Sequence, residues 1–88
     1  MEKVNVNGQE FQIHNYKCIF VPVMQETITA MSDGQNDETF TVYDGDEDYL
    51  ESLVEDGQIH EDDIEDVKGV IQLLKNETVN MVTFNYCL

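Results

Sequence analysis

The sequence predicts an α+β fold, an antiparallel sheet of about five strands with two short amphipathic helices, and three observations predict it. Asn7-Gly8 stands between two stretches in which apolar and polar residues alternate. Short β-branched and aromatic runs recur through the first half of the chain and again near its end. After Tyr43 the apolar spacing changes from a period of two to the three-and-four spacing of a helix. At 88 residues the chain reads as a single domain, 1–88, with room for one modest core.

The first element is a hairpin. Val4 and Val6 precede Asn7-Gly8, and Phe11 and Ile13 follow it. Asn-Gly supplies the two left-handed positions of a type I′ turn, which sets Val4 opposite Phe11 and Val6 opposite Gln9. A new turn starts near Asn15. Residues 16–23 read as a strand whose almost unbroken apolar run suits the centre of a sheet, while Pro22 sets its end at an edge or bulge. Residues 26–31 and 39–43 read as two more strands, joined by a turn-rich loop over 32–37. Tyr49, Leu50, Leu53 and Val54 predict a helix over 47–56, with Asp46 as N-cap and Gly57 just past its end. Ile64, Val67, Ile71 and Leu74, with Val70 beside them, form the stripe of a second helix. Asp62 and Glu65 have capping-box spacing, and Lys68 and Lys75 lie towards its cation-favouring C-terminal part. Residues 78–86 make the last strand. The strand order stays open.

Charge narrows the function more than any motif does. The net charge is -15, from 19 acidic residues against 4 lysines and no arginine. A small soluble domain usually carries a magnitude of about 2 to 8. Residues 33–66 hold fifteen of the carboxylates and no lysine, so this acidic segment accounts for the whole net charge. Direct binding to nucleic acid is not expected, because too few cations are present to neutralise phosphates. Anionic membranes should repel the chain, and no apolar run is long enough to span one. Cys18 and Cys87 are too few for a disulfide scaffold and read as buried thiols. Met1-Glu2-Lys3-Val4 has no signal-peptide character, so the expected location is cytoplasmic.

The acidic segment is interrupted by regularly spaced apolar residues, which argues for an ordered surface over a tail. Glu47, Glu51 and Glu55 form a row on the first helix with about 6 Å of rise between members. Asp44, Asp46, Asp48 and Asp56 broaden it. Glu61, Asp62, Asp63, Glu65 and Asp66 crowd the start of the second helix, where the dipole favours them. The dipole disfavours Glu55, and like charges spaced by four cost about 0.2–0.5 kcal/mol a pair. These twelve carboxylates are the candidate partner-binding residues, with Tyr43 or Tyr49 as anchors. The expected partner is a basic, nucleic-acid-binding protein or nuclease whose DNA or RNA cleft is blocked by polyanion mimicry.

Such a chain resembles the small acidic inhibitors encoded by phages, prophages and mobile elements. They include DNA-mimicking anti-restriction proteins, uracil-DNA glycosylase inhibitors and anti-CRISPR proteins that block Cas9. The local likeness is a hairpin followed by an acidic helix. It runs from Glu26-Thr27-Ile28-Thr29 through Thr39-Phe40-Thr41-Val42 to Asp48-Tyr49-Leu50-Glu51 and covers about a third of the chain. The resemblance implies occlusion of a DNA-binding cleft and assigns no individual residue.

Other functions compete with mimicry. The charge of an acidic interaction or structural module serves solubility alone. Asp44, Asp46, Asp48, Ser52 and Glu55 fall at positions 1, 3, 5, 9 and 12 of an EF-hand-like calcium loop, but Tyr49 stands where that loop requires glycine. His14 and His60 belong to no nucleophile, phosphate-loop or metal motif, so neither an enzyme nor a cofactor is expected. A homodimer through an exposed strand edge or the Val70-Leu73 side of the second helix is compatible with the pattern, provided the acidic faces point apart.

Overall fold

The computed structural model describes residues 2–34 and 37–86. Its first element follows the Asn-Gly signal. β1 (Lys3–Val6) and β2 (Gln9–Gln12) pair antiparallel, with Val4 opposite Phe11 and Val6 opposite Gln9. Asn7 and Gly8 take φ values of 52° and 85°, the left-handed pair that a type I′ turn needs. The hairpin forms a two-stranded sheet of its own. It buries Val6 and Phe11 and leaves Val4 and Ile13 partly covered against the same core.

A 3-10 turn over Asn15–Lys17 leads into β3 (Cys18–Val23). The chain then enters α1 (Gln25–Met31), β4 (Thr39–Tyr43) and α2 (Glu47–Glu55). A second 3-10 turn, Glu61–Asp63, runs into α3 (Ile64–Lys75), and β5 (Met81–Tyr86) ends the described chain. Three strands form the second sheet in the order β3-β5-β4. β3 lies parallel to β5, from Cys18 opposite Met81 to Val23 opposite Tyr86. β4 lies antiparallel to β5, from Thr39 opposite Asn85 to Tyr43 opposite Met81.

This corrects the expected architecture. A single antiparallel sheet of about five strands is replaced by a two-stranded hairpin and a three-stranded mixed sheet, with three α-helices in place of two. The expected strand over 26–31 is α1. Its Thr27, Ile28 and Met31 are buried, at spacings that put them on one helical face. β3 is an edge strand, and β5 holds the centre. Pro22 fits that edge, because proline has no N–H to give to a ladder. The capping box between Asp62 and Glu65 does not form. Asp62 N donates to His60 Nδ1 at 3.1 Å, and the residue before α3 is Asp63, with no side-chain cap on that helix. Parts of two further expectations, the loop over 32–37 at positions 35 and 36 and the thiol of Cys87, lie outside the described residues. Cys18 is a buried free thiol.

Alternation along the strands gives the three-stranded sheet two unlike faces. Ile19, Val21, Val23, Val42, Val82 and Phe84 are buried in the core that α1, α2 and α3 complete with Ile28, Met31, Leu50, Val67, Val70 and Leu74. Full burial of each large aliphatic or aromatic side chain contributes about 1.5–3 kcal/mol. The opposite face carries Cys18, Phe20 and Pro22, then Met81, Thr83 and Asn85, then Thr39, Thr41 and Tyr43, without one charged side chain. Val70 is fully buried and Leu73 packs against the core, so the Val70-Leu73 side of α3 is not a free surface for a second copy. Gly69 completes the packing. A Cβ there would lie 2.8 Å from Val6 Cγ1, so the glycine lets the hairpin sit close on α3.

Candidate protein-interaction surface

The turn from β4 to α2 uses some of its carboxylates to fold. Tyr43 N donates to Asp46 Oδ2 at 2.7 Å, and Asp46 N donates to Tyr43 O at 3.0 Å. Gly45, at φ 101°, takes the left-handed step of this turn, and its N–H donates to Glu47 Oε2 at 2.9 Å. Asp46 and Glu47 are therefore partly buried, whereas Asp44 and Asp48 stand exposed.

α2 turns Leu50 and Leu53 inward. Tyr49 is half-buried, stacks obliquely with Phe40, and donates its hydroxyl to Met31 O at 2.6 Å. Burial, and then the negative charge of Asp33, raise its phenol above the ordinary value. Tyr49 is thus tied into the fold, and of the two expected anchors Tyr43 is the exposed one, at 53%. The helix ends at Gly57, whose φ of 71° closes it while Gln58 N donates to Leu53 O at 2.9 Å.

The row of Glu47, Glu51 and Glu55 does not face solvent along its whole length. α3 packs beside α2, and Lys75 forms an ion pair with Glu51. That hydrogen bond is the main reason the Lys75 ammonium is held above its ordinary pKa. Desolvation opposes it, and the charges of Glu51, Asp48 and Glu47 add to it. Lys68, about two turns earlier on the same side of α3, shares a shallow groove with Glu51, Val54 and Glu55. The helices therefore run antiparallel. The fold brings the only two lysines of the C-terminal half against the acidic row, a pairing that neither segment reveals alone. Spacing of seven between Lys68 and Lys75 is the signal that could have found it.

Asp63 is placed unlike the rest. It is 5% exposed. Its Oδ2 accepts from Met24 N at 2.9 Å and from the Thr27 hydroxyl at 2.6 Å. Thr27 Oγ1 in turn accepts from His60 N at 3.1 Å. Asp63 therefore satisfies donors at the start of α1 from a distant part of the chain, and it is not available to a partner. Glu55, Asp56, Glu61, Asp62 and Glu65 are exposed, and Asp66 is partly buried. Of the twelve carboxylates named from the sequence, the outward-facing set is Asp44, Asp48, Glu55, Asp56, Glu61, Asp62 and Glu65.

The EF-hand-like positions do not wrap a common centre. Asp48, Ser52 and Glu55 lie on a regular helix, where residues four apart stack along the axis. Among the described residues no group of three His, Cys, Asp or Glu side chains is placed to hold a metal ion. His14 packs edge-on against Phe20, with ring centroids 5.0 Å apart. Among the described residues no helix is long and apolar enough to cross a membrane. The hairpin behind the local likeness to Cas9 inhibitors is absent, since residues 26–29 are helical. No family model matches the chain, and no curated protein or solved structure matches it.

Proposed function

We propose that this protein binds a cation-rich, nucleic-acid-binding protein and occupies that partner's DNA or RNA cleft as a substitute polyanion. One observation carries the reading. Seven carboxylates face outward from α2, the turn before it and the turn into α3, and no ion pair engages any of them except a 3.7 Å contact between Asp62 and His60 among the described residues. Most of them stand on α2, the 3-10 turn or the start of α3, where helical geometry sets their spacing. A rigid array of negative charge suits a groove built to grip phosphates. Steering by such a field gives fast association that salt slows. The same chemistry underlies the resemblance to phage-encoded anti-restriction and anti-CRISPR inhibitors, and the cytoplasmic location belongs to the same proposal.

The test is capture of partners from host lysate, followed by competition with duplex DNA and with RNA at two salt concentrations. Partner and nucleic acid should exclude one another, and higher salt should weaken the complex. Joint reversal of Asp48, Glu55, Glu61 and Asp62 to lysine should abolish binding while circular dichroism stays that of the folded protein. Glu51 is left intact, because reversing it would set a lysine against Lys75 and Lys68. Retention of full affinity by the reversed protein would reject the assigned surface.

A further inference from the structure

We infer that the free edge of β4 takes up an extended segment of the partner as a fourth strand, a segment with an uncharged β-branched or apolar centre and cationic flanks. The inference rests on the cation-rich partner proposed above and adds the mode of recognition. In the β4–β5 ladder Asp44 N donates to Asn80 O at 2.9 Å, and Tyr86 N donates to Glu38 O at 3.0 Å. Antiparallel pairing alternates, so Phe40 and Val42 also turn their backbone groups towards β5. Thr39, Thr41 and Tyr43 therefore turn theirs outward. Tyr43 closes its own through Asp46. The N–H and C=O groups of Thr39 and Thr41 have no partner among the described residues. An unpaired row of this kind is a template for another strand.

The opposite edge of the sheet is not equivalent. Pro22 on β3 has no N–H to offer, and His14 bridges to Cys18 at the start of that strand. Charge selects the occupant of the β4 edge. The five residues Thr39–Tyr43 carry none, whereas Asp37 and Glu38 precede them and Asp44 follows, all exposed. Pairing with a second copy of β4, antiparallel and centred on Thr41, would set Glu38 beside Asp44 of that copy at both ends. A strand with lysine or arginine at its ends meets the opposite sign at each. Tyr43, exposed at this edge, would lie beside the incoming backbone.

The experiment uses the whole protein and synthetic octapeptides, two lysines on each side of Thr-Val-Thr-Val. One form is unmodified. A second has the same charge but is N-methylated at alternate residues, which removes the donors on one edge. Binding is followed by amide chemical shifts and hydrogen exchange. The unmodified peptide should slow exchange at Thr39 and Thr41 and bind at least tenfold more tightly than the methylated one. Thr41→Pro, which deletes an outward N–H on an edge strand, should weaken the unmodified peptide by a similar factor. The peptide comparison stands on the unaltered protein should that variant fail to fold. Equal binding of both peptides, with shifts at Asp44, Asp48 and Glu55 and no protection at Thr39 or Thr41, would overturn the strand-pairing inference and leave the charged surface standing. Absence of binding by either peptide at low salt would overturn both.

Discussion

Asp63 and Glu55 belong to the same acidic segment, and the fold uses them in opposite ways. Asp63 is buried and holds the start of α1 through Met24 N and the Thr27 hydroxyl. Glu55 stands exposed at the end of α2, where the helix dipole disfavours it. Glu51 lies between these extremes, partly buried and ion-paired to Lys75. The lesson is that acidity along a chain does not assign a role. A carboxylate with protein donors around it holds the structure, and one with none is left for solvent or for a partner.

The largest effect separating the two should come from Asp63→Ala. It removes charge-assisted bonds and strands the Met24 N–H and the Thr27 hydroxyl, so urea unfolding should report a loss of about 2–4 kcal/mol. Asp63→Asn keeps an acceptor and should lose less. A change within the scatter of ordinary surface substitutions for Asp63→Ala would erase the distinction drawn here.

Tyr49→Phe comes next, at about 0.5–1.5 kcal/mol, for the bond to Met31 O. It carries a pH signature. The phenol is raised in the folded state, so the folded protein holds that proton more tightly than the unfolded chain does. The associated stability is complete below about pH 10, the ordinary phenol value, and is lost as pH rises through the higher folded value. Thermal unfolding from pH 8 to 11 should show an alkaline fall that is shallower in Tyr49→Phe.

Glu55→Lys and Asp48→Lys should leave stability within about 0.5 kcal/mol of the parent protein, because relief of repulsion among the carboxylates offsets the attraction lost to Lys75 and Lys68, and no hydrogen bond is broken. Added salt should raise the melting temperature of the parent protein by screening exposed carboxylates, and the reversals should flatten that dependence. The loss caused by Asp63→Ala should barely respond to salt. Lys75→Gln should have the smallest effect on stability, since its ammonium is exposed. Its value lies in the partner assay, where freeing Glu51 from its ion pair should strengthen association with a cationic partner.

Much of this arrangement was legible in the sequence for local reasons. Asn7-Gly8 fixes a hairpin register within four residues, and the stripes on α2 and α3 need no distant contact to be seen. The start of α1 was not legible. Thr27, Ile28 and Thr29 have the β-branched character of a strand, and the group that satisfies the backbone N–H before this helix lies 39 residues away, on Asp63. The position of β5 between β3 and β4 was hidden for the same reason, because parallel pairing joins segments far apart in the chain. In the candidate surface, the exposure of Asp48 and Glu55 followed from helical periodicity. The inward turn of Asp63 and the pairing of Glu51 with Lys75 did not, since both depend on how the elements pack.

The central place of β5 bears on how the protein is made. β3 and β4 pair with β5 and not with each other, and β5 is translated after all three helices. A nascent chain halted on the ribosome before Met81 therefore holds two strands with no strand between them to pair with. The sheet closes only once this late strand has emerged, and until then the inner edges of β3 and β4 keep backbone groups that no strand satisfies.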